Sequence, residues 1–166
     1  DTTPESTGGK VLVAYFSATG HTRTIAEYLQ TALDADLYEI VPQEPYTDAD
    51  LDYNTDGCRA NREQNDDSAR PAISGGVEDM AGYDVVFIGY PIWWGQAPKI
   101  VYTFLESDDF SGKTIVPFCI SGGSGIDGSL SGIQALAPDA DWLAGQRFSA
   151  SASAADVQSW VDNLGL

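Results

Sequence analysis

"VLVAYFSATGHTRTIAEYLQ", residues 11–30, is the stretch whose reading decides the fold. Residues 11–16 are apolar and β-rich, with no polar alternation. That is the composition of a strand buried on both faces, as in a parallel sheet. The run stops at Ser17, Ala18, Thr19, Gly20, His21 and Thr22, after which Ile25, Ala26, Leu29, Ala32 and Leu33 recur at helical spacing. A turn of this kind opens on a helix N-terminus, which offers unpaired N–H groups and a partial positive charge. Ser17, Thr19 and Thr22 add hydroxyl donors, and Gly20 lets the backbone approach closely. Such a loop holds a phosphate without any cation. One capping residue would satisfy a plain helix start; three hydroxyls and a glycine exceed that need. The loop lacks the Gly-Lys-Ser/Thr ending of a Walker motif, which excludes nucleoside triphosphate hydrolysis of that type.

The same rhythm continues along the chain. Residues 36–41, "DLYEIV", alternate and end at Pro42, the pattern of a more exposed edge strand. Residues 84–90, "DVVFIGY", form the most hydrophobic strand, and residues 113–120, "KTIVPFCI", a fourth. Pro117 has no N–H for the ladder, so a bulge or break is expected beside it. Residues 147–150 suggest a fifth strand. Helices are expected over residues 98–106, with a proline at the start, over residues 129–136 and over residues 154–164. Strands alternating with helices predict an α/β fold, a three-layer, doubly wound, five-stranded parallel sheet with right-handed crossovers. Residues 42–83 interrupt the rhythm with a polar stretch broken by prolines and glycines. A structureless loop of that length does not suit a compact domain, so an ordered excursion with short helices near residues 48–53 and 59–66 is expected, able to act as a lid. Residues 1–9 read as a flexible tether and residues 10–166 as one domain.

In open α/β sheets ligands bind beyond the carboxyl ends of the strands, so the loops after strands one, three and four belong together. The second is Pro91, Ile92, Trp93, Trp94 and Gly95. Adjacent side chains of an extended segment point opposite ways, so one tryptophan packs inward while the other offers a flat face to a planar ligand. The third is Ser121, Gly122, Gly123, Ser124 and Gly125, too small to pack anything and suited to present bare N–H groups. Gly123, Gly125 and Gly128 match G-x-G-x-x-G, but after a late strand and with no acidic ribose partner downstream, so the dinucleotide fingerprint is rejected. Serine hydrolysis is rejected as well, because Ile126 replaces the closing glycine of G-x-S-x-G and the single histidine, His21, comes first rather than last. A phosphate loop, an aromatic loop and a loop of naked backbone together describe a ligand with a phosphate tail and a wide, polar-edged planar ring. Flavin mononucleotide (FMN) fits.

Composition sets the boundaries. The chain has 166 residues, 43% of them hydrophobic, enough for a sizeable core. Its net charge of −17 argues against nucleic acid and anionic lipid as partners and favours basic docking partners. No apolar run is long enough for a transmembrane segment. Two cysteines and one histidine cannot assemble a tetrahedral zinc site. Cys119 falls in an apolar strand and Cys58 in a polar stretch, so pairing requires the fold to bring them together.

With these residues in view, the chain resembles the flavodoxin family. Ser17 to Thr22 match its [S/T]-x-T-G-x-T phosphate loop at every fixed position, and the strand–helix rhythm covers nearly the whole chain from Val11. The resemblance implies the strand order 2-1-3-4-5, which is the flavodoxin example of the general rule for doubly wound sheets. It implies that Ser17, Ala18, Thr19, Gly20, His21 and Thr22 hold the phosphate of FMN, His21 through its backbone. Pro91, Ile92, Trp93, Trp94 and Gly95 would then lie along the isoalloxazine ring, and Ser121 to Gly125 would meet its pyrimidine edge. Electron-carrier flavodoxins often flank the ring with aromatics from two loops, whereas the third loop here has none. The implied role is electron transfer by the flavin. The alternatives are an FMN-dependent NAD(P)H oxidoreductase and a flavin-free binding module. In the long segment, Tyr53, Asn54 and Arg62 are candidates to close over the ring. The bacterial subgroup that the chain resembles often carries export or lipoprotein signals, so an extracytoplasmic location is expected, with the cytoplasm as the alternative.

Overall fold

The computed structural model describes residues 10–16, 21–44, 47, 58–64, 66, 69–73, 82–92, 97–107, 110–120, 126–143, 145–149 and 152–164. In chain order the elements are β1 (Lys10–Tyr15), α1 (His21–Leu33), β2 (Asp36–Glu39), α2 (Arg59–Gln64), β3 (Tyr83–Pro91), α3 (Lys99–Glu106), β4 (Thr114–Ile120), α4 (Asp127–Gln134), β5 (Asp141–Trp142), β6 (Gln146–Phe148) and α5 (Ala154–Leu164). Every strand pairing is parallel, and the order is β2-β1-β3-β4, with β5 and β6 both on the far side of β4. The doubly wound sheet and its order are those expected.

The alternation of side chains along the strands assigns them to two layers. Leu12, Ala14 and Phe16 of the first strand segment face α3 and α4, in a cluster with Val86, Ile88, Tyr90, Ile100, Phe104 and Ile133. Val13 and Tyr15 face α1 and α5, with Ile25, Leu29, Phe87, Phe118, Val157 and Val161. Strands buried on both sides need no polar positions, which is why β3 and β4 read as continuous apolar runs. β2 lies at the edge and shows the more exposed pattern its alternation suggested. Tyr38 of β2 stacks on Phe104 of α3 with centroids 5.8 Å apart. At the end of α1, Asp34 takes a left-handed φ of 52°, and the chain turns directly into β2.

The expected fifth strand is two short ones, and Pro117 is the reason. Asp141 N–H donates to Lys113 O at 2.8 Å and Leu143 N–H to Ile115 O at 2.9 Å. In a parallel ladder alternate residues face the same neighbour, so the next residue of β4 to face this edge is Pro117, which has no proton to give. The edge strand breaks there and resumes where Phe118 pairs with Gln146. Gly145 sits in the break; a Cβ on it would lie 2.8 Å from Pro117 O and 2.7 Å from Ile126 Cδ1.

The long segment is ordered at both ends of its described part. Pro42 and Ile73 form an antiparallel bridge, and Gln43 N–H donates to Ala72 O at 2.9 Å. α2 begins at Arg59, as expected, and Arg59 ties it back through Glu63 Oε2 at 2.9 Å and Glu44 O at 2.5 Å. The helix expected over residues 48–53 lies outside the described residues.

Gly89 in β3 has a packing role. A Cβ at this position would lie 2.1 Å from Phe118 Cζ, and that ring is held by Trp160, with centroids 6.2 Å apart. The Phe118 ring occupies the space that a β3 side chain would fill. Gly89→Ala should therefore lower unfolding free energy by roughly 1–3 kcal/mol, the usual cost of overpacking, read as a fall in the urea midpoint with an unchanged slope.

Candidate functional site

β1, β3 and β4 are consecutive neighbours, and their carboxyl ends are tied together at one edge. Phe16 N–H donates to Gly89 O at 2.9 Å, Ile40 N–H to Tyr15 O at 2.7 Å, and Ile92 N–H to Ile120 O at 3.3 Å. In register, Tyr15 pairs with Gly89 and Pro91 with Ile120. The chain leaves this edge into residues 17–20, 93–96 and 121–125, so the three sequence-predicted loops depart from adjacent positions. Between β1 and β3 the winding reverses, since β2 lies on the other side of β1. This is the topological switch point at which open α/β sheets bind ligands.

Of the predicted site residues, Ser17, Ala18, Thr19, Gly20, Trp93, Trp94, Gly95, Ser121, Gly122, Gly123, Ser124 and Gly125 lie outside the described residues. His21 is the first residue of α1. Thr22, in the first turn, is 2% exposed and is one of few buried polar residues among those described. Pro91 ends β3, and Ile92 packs against the apolar layer beneath the edge. The first turn of α1 carries no acidic residue although the chain has 25. The contrast with α5 is informative. There Ser153 and Asp156 form a reciprocal cap, Ser153 N–H to Asp156 Oδ2 at 3.0 Å and Asp156 N–H to Ser153 Oγ at 3.2 Å. α5 satisfies its own N-terminus with a carboxylate, and α1 does not. An anion from outside would complement the α1 dipole.

Several polar groups packed against the sheet and α3 were not legible in the sequence. Tyr90 is fully buried, and its hydroxyl pairs with Ser129 Oγ at 2.7 Å. Lys99, the first residue of α3, is 2% exposed, with its Nζ 4.5 Å from the centroid of the Tyr102 ring. The Cζ of Arg70 lies 5.2 Å from the same centroid, and Arg70 Nε bonds Glu106 Oε1 at 2.9 Å. Arg70 thus docks the long segment onto α3. Pro98 caps α3 rather than occupying its first turn, with φ −58° and ψ 147°. Arg62 lines a polar cavity of about 430 Å³ inside the excursion, with Gln43, Glu44, Arg59, Glu63 and Asp66. Tyr53 and Asn54 lie outside the described residues. Among the described residues no cluster of metal-ligating side chains occurs, and no helix is long and apolar enough to cross a membrane.

Cys58 and Cys119 are both buried, and no disulfide joins them. Burial pushes the Cys119 thiol up to about 12 from 9.0, although Arg147 pulls it the other way, and burial likewise raises Tyr90. A raised native value means that the folded chain holds its proton more tightly than the unfolded one. The stability linked to Cys119 is therefore fully present below pH 9.0 and lost as pH rises toward 12. Urea melts at increasing pH should show stability falling across this interval, and Cys119→Ala should make the fall shallower.

Comparison with known proteins follows the same lines. A family model described as Flavodoxin matches residues 10–164. A Bacteroides eggerthii protein provisionally named a flavoprotein is 46% identical, with a TM-score of 0.89 over 95% of this chain and 99% of that one. A flavoprotein from Lactobacillus acidophilus, solved in complex with FMN, is 24% identical with a TM-score of 0.72, covering 95% of this chain and 99% of that one. Oxidised flavodoxin 2 from Bacillus cereus shares the fold at 16% identity and a TM-score of 0.59, over 94% and 97% of the two chains. No curated protein sequence matches the chain.

Proposed function

The chain belongs to the flavodoxin family, and on that premise we propose that it binds FMN at the carboxyl edge of its sheet and serves as an electron-transfer protein. The observation that carries this reading is the departure of three loops of complementary chemistry from adjacent strands at the switch point, the first of them entering a helix whose N-terminus has no acidic residue. The flavoprotein of the same fold solved with FMN supports the choice of cofactor.

When bound, the flavin supplies the chemistry, accepting and releasing one or two electrons. The protein supplies binding, orientation and charge. Ser17, Thr19, Gly20, His21 and Thr22 would hold the phosphate through N–H groups and hydroxyls. Whichever of Trp93 and Trp94 faces outward would cover the ring, and Ser121 to Gly125 would give backbone donors to its pyrimidine edge. The net charge of −17 disfavours extra negative charge on the reduced flavin and so lowers its potential. The same charge favours partners with basic docking surfaces, with affinity falling as salt rises.

Titration of apoprotein with FMN, riboflavin and FAD tests the site. FMN should bind well ahead of riboflavin, because only FMN fills the α1 end with a phosphate. Equal affinities would remove the phosphate cradle, and no binding of any flavin would favour a flavin-free binding module.

A second reading is an FMN-dependent NAD(P)H oxidoreductase. It is favoured by the excursion, which leaves the same edge of the sheet through β2 and holds a cavity able to receive part of another reactant. Stopped-flow mixing of the FMN-loaded protein with NADH or NADPH separates the two. A carrier shows slow reduction with no saturation; fast, saturable reduction would establish the reductase instead.

A further inference from the structure

The polar cavity of about 430 Å³ in the excursion is unused by the electron-carrier reading, and none of its lining residues belongs to the three loops. Three stretches of chain build it: residues 43–44, α2 with Asp66 beyond it, and residues 69–72. Hydrogen bonds tie them to one another. Gln43 N–H donates to Ala72 O at 2.9 Å and Gln43 Nε2 to Ile73 O at 3.3 Å, joining the first stretch to the third. Arg59 joins the first stretch to α2, through Glu44 O at 2.5 Å and Glu63 Oε2 at 2.9 Å. Arg70, between two lining residues, pins the third stretch to α3 through Glu106 Oε1 at 2.9 Å. The cavity is thus a constructed space, with walls held from several sides.

Its charges are sorted by depth. Arg59 and Glu63 pair with side chains only 14% exposed each, and Pro71 on the lining is buried. Glu44, Arg62 and Asp66 also line the cavity but are exposed, so they lie toward its mouth. With the inner pair neutralised, the mouth carries two carboxylates and one guanidinium. A ligand of complementary charge has two cationic groups and one anionic group. Among the described residues no metal-ligating cluster forms, so the carboxylates suit an organic cation rather than a metal ion. The volume lies in the range of small-molecule sites. In a chain of net charge −17, the surrounding field favours a ligand of net positive charge. A basic α-amino acid has this pattern: a carboxylate, an α-ammonium and a cationic side chain.

We propose that the cavity is a second ligand site, which takes a free basic α-amino acid such as arginine or lysine. The ligand's carboxylate meets Arg62, and its two cationic groups meet Glu44 and Asp66. This assignment stands apart from the FMN reading.

Calorimetric titration of the full chain, with and without FMN, uses L-arginine, L-lysine, agmatine, L-glutamate and NADPH as probes. Arginine and lysine should bind saturably, with affinity falling as salt rises, and glutamate should not bind. Agmatine, which is arginine without its carboxylate, should bind about three- to tenfold more weakly than arginine, as for one lost charge-assisted hydrogen bond at an exposed mouth. Glu44→Gln and Asp66→Asn should each weaken arginine by about the same factor. Arg62→Gln should weaken arginine but not agmatine. All three positions are exposed, so urea midpoints should stay near wild type. No saturable binding of arginine or lysine would overturn the proposal, as would an arginine affinity that none of the three substitutions moves. Binding of glutamate as tight as that of arginine would remove the charge argument and overturn it too. Binding of NADPH in place of arginine, weakened by the same substitutions, would give the cavity to the hydride donor of the reductase reading. Displacement of arginine by FMN would overturn the assignment of a second site. Failure of the protein to bind FMN would refute the flavin reading and leave this one standing.

Discussion

The structure depends on β3 being paired on both sides and covered on both faces. Its residues bond to β1 along one edge and to β4 along the other, and helices close both faces of the sheet. No backbone group of such a strand can turn to water, so its bonds must run along the ladder. Its side chains must be apolar or, where another ring needs the space, absent. Gly89 is the second case: Phe118 from β4 fills its side-chain position. With β1, β3 and β4 locked together, their carboxyl ends are fixed relative to one another. The three loops that leave those ends share a frame that none of them could set alone.

Two helix ends that leave this edge of the sheet differ in their chemistry. α5 follows β6, whose carboxyl end lies at the same edge, and satisfies its N-terminal N–H groups with a serine and an aspartate. α1 starts at the open edge, buries Thr22 and has no carboxylate in its first turn. In a chain with so many acidic residues, the first turn of α1 offers an incoming anion a helix end free of carboxylates.

The edges of the sheet show how small irregularities carry consequences outward. Pro117 costs β4 one donor on the side of the edge strand, and that strand splits into β5 and β6. The gap accepts Gly145 and lets Ile126 pack down beside it. At the other edge, where β2 is half covered, the chain departs into the long segment. Its described ends are pinned by the bridge between Pro42 and Ile73 and by the contacts of Arg70 with Glu106 and Tyr102.

Periodicity and turn chemistry by themselves determined the parallel α/β class, the near-exact extent of β3, β4 and α5, the edge character of β2 and the disturbance at Pro117. These features follow from local patterns: unbroken apolar runs, helical spacing and a missing N–H. The hydroxyl-rich stretch from Ser17 to Thr22 is a reading of the same kind, because its chemistry is written in consecutive residues. What only the tertiary structure decided involves residues far apart in the chain. The Tyr90–Ser129 bond joins positions 39 apart, and each residue alone reads as an ordinary strand tyrosine or helix serine. Gly89 looks like a weak point in a strand until the Phe118 ring is placed over it. Lys99 and Arg70 read as solvated charges, yet both lie against Tyr102. Sequence reports what a residue brings to its own element; which partner meets it across the sheet is fixed only when the strands pair in register and the layers close.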